Sequence, residues 1–185
     1  MLSEESDAAL VARAGGGDDQ AFNFLMQRHG PSVSRFLGRM LTDAGDAEDA
    51  TQETFVALHR NLHRYDPARP FLAWLFQIAR NKGRDRIRRR VALQWISGDP
   101  ALEERASDAP SPEREVSDRG VLAEVEHAIQ SLPETLRTPL LLFAIEGLSQ
   151  AEISEVMKIS AKAVEMRIYR ARRKVADKTG LLLEG

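Results

Sequence analysis

Apolar residues along this chain recur every three or four positions and almost never alternate with polar ones for long, so the pattern predicts helices rather than half-buried strands. A first helix is expected over residues 6–14, with Ser6 as its cap and Gly15, Gly16 and Gly17 as its stop. A second should run over 19–29 and end at Gly30 and Pro31, and a third should cover 32–41. The segment "DAEDATQETFVALHRNLHRYD" then reads as a longer helix capped by Asp46, with Ala50, Phe55, Leu58 and Leu62 at helical spacing. Pro67 and Pro70 close it with a turn.

The next stretch, "FLAWLFQIARNKGRDRIRRR", begins almost wholly apolar and ends almost wholly basic. Phe71, Leu72, Leu75, Ile78 and Ala79 share one helical face, while Arg80, Arg84 and Arg88 form a separate row. After a Pro-containing, carboxylate-rich segment over 97–118, Val121, Leu122, Val125, Ile129 and Leu132 mark another helix. Pro139 should kink or restart the helix that follows. Ser149 and Glu152 form an S-x-x-E capping box for a helix to about Met157. Three residues later Ser160 can cap a second helix with Val164, Ile168 and Ala171 inward, which makes a helix-turn-helix. The fold class expected is all-α, with two small helical domains at 1–96 and 119–185 joined by an acidic linker at 97–118.

Composition narrows this picture little until charge is sorted by segment. The net charge is only −2, yet residues 80–90 carry seven basic side chains against Asp85, and residues 162–178 carry seven against Glu165 and Asp177. Residues 42–53 hold five carboxylates and no base. There is no cysteine, which removes disulfides and thiolate sites and fits a reducing compartment. The acidic N-terminus is too poorly apolar for a signal peptide, and no apolar run is long enough to span a bilayer, so a soluble cytoplasmic protein without membrane insertion is expected.

Three local patterns bear on chemistry. The second helix of a helix-turn-helix lies in the major groove, and here that helix offers Lys162, Glu165, Arg167 and Arg170 ahead of a basic tail; a solvated charged face has the same composition. Residues 80–90 could equally be a solvated basic helix end. What favours nucleic acid is the junction, where Gln77 and Asn81 lie between the aromatics Trp74 and Phe76 and the arginines. Unstacked bases need π-faces, an edge partner and phosphate neutralisation. His59 and His63 stand four apart but lack a third ligand, "AGGGDD" lacks the Lys-Ser/Thr of a phosphate loop, and no triad or carboxylate pair suggests catalysis. No cofactor, metal site or catalytic residue is expected.

Taken in order, these motifs resemble a bacterial alternative sigma factor of the extracytoplasmic-function (ECF) class. "GDDQAFNFLMQRH" is similar to the first helix of the sigma-2 domain, and "DAEDATQETFVALHRNLHRYD" to the segment that docks on the clamp helices of the polymerase largest subunit. "FLAWLFQIARNKGRDRIRRR" is similar to the promoter-melting and minus-10 segment, and "LPETLRTPLLLFAIEGLSQAEISEVM" with "RIYRAR" to the sigma-4 domain, which reads the minus-35 element. The resemblance implies roles at matched positions. Asp49, Gln52 and Glu53 would face core polymerase; Trp74, Gln77, Arg80, Asn81, Lys82, Arg84 and Arg88 would face minus-10 DNA, with Asn81 in a pocket for a flipped base rimmed by "YDPARP". Lys162, Glu165, Met166, Arg167, Tyr169, Arg170 and Arg173 would face minus-35 DNA. Where many members read Gly-Thr-Val-basic-Ser-Arg, this chain has Lys162, Ala163, Val164, Glu165, Met166 and Arg167, which implies a different minus-35 preference.

The partners implied are core RNA polymerase, including the flap of the second-largest subunit, promoter DNA and an anti-sigma factor. By the same resemblance the acidic linker would thread toward the template-strand and RNA-exit channels. Two other readings stay open on the residues alone: a sigma-like decoy that sequesters an anti-sigma factor, and a conventional helix-turn-helix regulator.

Overall fold

The computed structural model describes residues 5–97 and 118–180, which are helical with short connections and contain no strand. Helix α1 (Asp7–Gly15) is capped by Ser6, whose hydroxyl accepts from the Ala9 N–H. Arg13, in its last turn, reaches back to Glu5 and forward to Asp18. Asp18 in turn caps α2 (Asp19–Met40), accepting from the Gln20 and Ala21 N–H groups.

Helix α2 corrects one expectation, because it does not stop at Gly30 and Pro31 but runs unbroken through both. Proline removes one hydrogen bond, to the carbonyl of Gln27. Against that loss stands a single buried stripe along the whole helix, the apolar Ala21, Leu25, Val33, Phe36, Leu37 and Met40 with His29 among them. Ending the helix at His29 would turn the last four of these away from the core, so packing outweighs the missing bond.

Helix α3 (Ala44–Arg60) is capped by Asp43, which accepts from the Asp46 N–H at 2.8 Å, so the expected cap at Asp46 lies three residues too late. An acidic first turn remains. A 3-10 turn over Leu62–Arg64 follows, and then α4 (Phe71–Ser97), a single helix of 27 residues. Its first half fills the core: Phe71, Ala73, Leu75, Phe76 and Ala79 are buried, and Phe76 meets Phe36 edge-on at 5.4 Å. Gly83 marks where α4 comes closest to α2, because a Cβ there would lie 2.8 Å from Met40 Sδ.

The remaining helices are α5 (Asp118–Gln130), α6 (Glu134–Ala144), α7 (Gln150–Met157) and α8 (Ala161–Thr179). Pro139 is buried inside α6 and does not restart it. Arg137 is buried too and donates to the carbonyl of Gln130 at 2.7 Å, satisfying the C-terminal end of α5. The expected linker lies outside the described residues except for its ends, Ser97 and Asp118, which close α4 and open α5.

The two groups of helices are not separate bodies joined only by chain. One connected apolar core runs from Leu10 through Ala79 and on through Leu141, Leu142, Ile153, Val156 and Met157 to Ile168. A smaller cluster, Ala128, Leu132, Leu140, Ala171 and Val175, belongs to the C-terminal group alone.

Candidate docking and nucleic-acid interfaces

The acidic face of α3 is held by the basic half of α4. Arg86 donates to Asp46 at 3.3 Å, Asp49 at 3.0 Å and Glu53 at 2.5 Å, and Lys82 lies 3.4 Å from Glu53. Hydrogen bonding from Arg86, outweighing burial, holds the Glu53 carboxyl below its ordinary value, and the bond to Glu53 raises Arg86 in return. Asp49 nevertheless keeps 59% of its side chain exposed, and Gln52 is exposed beside it with its amide toward Glu48. The face can therefore meet a partner while tied to α4 from behind.

Basic residues of α4 fall into two rows. Lys82, Arg86 and Arg90 are spaced four apart and face the start of α3, with Arg90 donating to the Thr42 hydroxyl at 2.9 Å. Arg86 was not among the expected site residues, and neither was this row, although its four-residue spacing opposite Asp46, Asp49 and Glu53 is legible in sequence. Lys82 was expected on DNA; its ammonium lies beside Glu53.

Trp74, Gln77, Asn81, Arg84 and Arg88 follow one another by alternating steps of three and four, which places them on one strip along α4. Asn81 and Arg88 are exposed, and Trp74, Gln77 and Arg84 are half-buried. Arg88 has Asp85 at 3.6 Å. Trp74 is packed rather than open: Tyr65 lies 5.2 Å from it at a 31° tilt and Phe71 lies 6.3 Å away. Tyr65 also donates its hydroxyl to the Arg69 carbonyl at 2.8 Å, while Asp66 accepts from the Ala68 N–H, so the loop "YDPARP" is pinned over the start of α4. Burial raises the Tyr65 phenol. Tyr65 thus packs against both Phe71 and Trp74, a contact that spacing along the chain does not reveal.

Arg80 does not join the strip. Its Nε donates to Glu134 of α6 at 3.1 Å, and the two side chains are only 11% and 19% exposed.

In the C-terminal group both halves of the expected capping box form: the Ser149 hydroxyl accepts from the Glu152 N–H, and the Glu152 carboxylate accepts from the Ser149 N–H. Lys158 turns the corner in a left-handed conformation (φ 55°), and Ser160 caps α8. Val164, Ile168, Ala171 and Val175 point inward. That leaves Lys162, Glu165, Met166, Tyr169, Arg170 and Arg173 exposed, with Arg167 half-buried. Lys162 bonds both carboxylate oxygens of Glu165, at 2.8 and 2.9 Å. Arg172 lies over the Phe143 ring at 5.4 Å, bracing α8 against α6. Among the described residues no cluster of His, Asp or Glu is placed to hold a metal, and no helix is long and apolar enough to cross a membrane.

A helical chain with a basic, aromatic-lined helix in one half and a capped helix-turn-helix in the other is a bipartite nucleic-acid-binding protein by its architecture. Residues 25–92 match the family model for sigma-70 region 2, and residues 122–175 match that for sigma-70 region 4. The chain is 39% identical to the RNA polymerase sigma factor CnrH of Cupriavidus metallidurans across 95% of both chains, and 31% identical to the ECF RNA polymerase sigma-E factor of Haemophilus influenzae across 96% of this chain and 97% of the other. It superposes on CnrH in complex with the cytosolic domain of CnrY with a TM-score of 0.68 at 35% identity, covering 94% of this chain and 96% of that one. Its fold is also that of the Bartonella quintana sigma factor RpoE in complex with the anti-sigma factor NepR, with a TM-score of 0.70 at 20% identity over 86% of this chain and 97% of that one. The chain belongs to the ECF sigma factors of RNA polymerase.

Proposed function

We propose that this protein docks on core RNA polymerase through the exposed carboxylate face of α3, reads and holds the opened minus-10 strand along the Trp74–Gln77–Asn81–Arg84–Arg88 strip, and reads the minus-35 element with α8. The division into a sigma-2 unit at 1–96, a linker at 97–118 and a sigma-4 unit at 119–185 belongs to this proposal. The single observation that carries it is the strip itself, which sets aromatic, amide and cation in sequence along one helix face. Asn81 is its exposed amide, placed to hydrogen-bond a base turned out of the stack, and its bonds would offset an unpairing cost of a few kcal/mol. Gln77 lies one turn nearer the aromatics. Arg84 and Arg88 then neutralise phosphates of the separated strand. On α8, Glu165 can accept from a cytosine N4 and Met166 can meet a thymine methyl, with Lys162, Arg167, Tyr169, Arg170 and Arg173 around them. The protein supplies no bond-making step; the polymerase does. It works in the cytoplasm under the control of an anti-sigma factor, the kind of partner named for the Bartonella quintana sigma factor RpoE.

Run-off transcription with purified core tests this. Asn81→Ala should impair open-complex formation while leaving core affinity intact, and Asp49→Ala with Glu53→Ala should weaken core binding. Unchanged core affinity in the double variant would remove the docking assignment. A chain that binds an anti-sigma factor but never yields transcript would be a decoy, and one that footprints its promoter without polymerase would be a conventional regulator.

A further inference from the structure

Arg86 and Arg90 of α4 and Arg137 of α6 line one cavity of about 300 Å³, with the end of α2 and the start of α3 as further walls. Met40, Leu41, Ile87 and Val91 make its apolar side, and its two carboxylates are Asp46 and Glu134. Both carboxylates are engaged elsewhere. Asp46 accepts from Arg86 at 3.3 Å, and one Glu134 oxygen accepts from Arg80 at 3.1 Å and from the Thr138 hydroxyl at 3.3 Å.

The cations of the cavity are less well matched. Arg137 is only 8% exposed, yet its described hydrogen bond goes to a neutral acceptor, the Gln130 carbonyl. Arg90 bonds the Thr42 hydroxyl, again a neutral group. The Nε atoms of Arg86 and Arg137 are both buried, and neither has an acceptor among the described residues. Burial lowers the Arg137 guanidinium from its ordinary value, and the nearby Glu134 charge opposes that only in part. Buried N–H groups are normally paired, and a buried cation needs a counter-charge. A neutral acceptor in the cavity would pair the two Nε–H groups but leave the positive charge uncompensated; an oxyanion does both.

We infer that this cavity is a binding site for a tetrahedral oxyanion of the phosphate class, either the free ion or the phosphate group of a small ester, held between Arg86, Arg90 and Arg137. Planar guanidinium forks suit phosphate oxygens, and the apolar side strengthens their attraction. Arg86 can contribute its Nε without releasing the α3 carboxylates, because those are held by its Nη1 and Nη2 atoms. The volume lies at the small end for ligand pockets, which suits one phosphate group with a small substituent rather than an extended strand. The site uses no residue of the Trp74–Arg88 strip or of α8. It adds a response to a soluble phosphate compound to the proposed reading of promoter DNA.

Phosphorus NMR titration of the full-length protein with inorganic phosphate, at ionic strength held constant with sodium chloride, tests the site. Phosphate should bind saturably with a Kd of about 1 mM or tighter and should raise the urea midpoint in step with its occupancy. Arg137→Lys keeps the positive charge but removes the Nε donor and the planar fork, and should weaken binding about ten-fold. Arg90 is half-buried and its partner Thr42 is exposed, so Arg90→Gln provides a second variant should the change in α6 disturb folding. It should weaken binding about three-fold. Arg60→Gln makes the same charge change at an exposed position outside the cavity and should leave binding unaltered. Methyl phosphate displacing the bound ion would establish that an ester enters, and resistance to displacement would confine the site to the free ion. Absence of saturable binding would overturn the assignment. So would equal weakening by Arg60→Gln and Arg90→Gln, which would reduce the effect to net charge.

Discussion

Gly83 gives the sharpest test of how α4 is seated, because two opposing effects meet at one atom. In a helix interior Ala is favoured over Gly by about 1 kcal/mol, so on local grounds Gly83→Ala should stabilise. The added methyl, however, would stand 2.8 Å from Met40 Sδ, 3.1 Å from Met40 Cε and 3.2 Å from Leu37 Cδ2, well inside the roughly 3.5–4.0 Å of ordinary carbon contacts. Met40 and Leu37 are both 0% exposed, so relief has to come from the Met40 thioether turning toward the cavity it borders with Leu41, Ile87 and Arg90. Overpacking of this kind costs about 1–3 kcal/mol. The expected net is a loss of about 1 kcal/mol. A double-mutant cycle separates the terms: Met40→Ala alone should cost about 2–5 kcal/mol, but in that background Gly83→Ala should gain about 1 kcal/mol, a coupling of about 2 kcal/mol between the two sites. Urea denaturation followed by far-UV circular dichroism reads all four corners. A raised midpoint for Gly83→Ala in the native background, or an equal shift in both backgrounds, would refute the close approach of α2 and α4.

Ser149→Ala should lower stability by about 1 kcal/mol, since it leaves the Glu152 N–H without its acceptor and breaks the reciprocal box, whereas Ser149→Asp should lose much less; a shift below a few tenths in the alanine variant would count against the box. The acid limb of the stability curve should carry Glu53 and Asp7. Glu53 is lowered from 4.5 chiefly by hydrogen bonding from Arg86; Asp7 is lowered from 3.8 because hydrogen bonds from His29 and Arg28 outweigh a burial that alone would raise it. Depressed carboxylates contribute stability that is complete above their unfolded values and disappears as pH falls through the folded ones. Denaturation midpoints should therefore decline below about pH 4.5, and Arg86→Met should flatten the Glu53 part of that decline; an unchanged acid slope would exclude the Arg86 clamp.

What sequence made legible here is what neighbours in sequence decide. Ser6, Ser149 with Glu152, and Ser160 cap the helices expected of them, because a cap needs only a side chain and an N–H two or three residues on. The same local rule misled at Pro31, where the outcome depended on Phe36, Leu37 and Met40 finding a core built by α4. It misled again at residues 43–46, where Asp43 and Asp46 both satisfy the pattern and only the backbone path selects Asp43.

The change of chemistry along α4 shows where local reasoning stops. Its apolar beginning and basic end look like two successive blocks in sequence, yet in three dimensions the basic half is divided by azimuth rather than by position. Lys82, Arg86 and Arg90 turn to α3 and to Thr42 just before it; Arg80 turns to Glu134, 54 residues away; Asn81, Arg84 and Arg88 continue the strip that starts at Trp74. Residues one or two apart thus serve different partners, since a step of 100° per residue separates neighbours while uniting positions three and four apart. Charge counts along the chain cannot make that division. They register seven cations between 80 and 90, whereas the helix has already committed Lys82 and Arg86 to the α3 carboxylates and Arg80 to the opposite half of the protein. A substitution at Arg86 should accordingly act on stability and docking, one at Arg88 on strand binding, although only one residue lies between them.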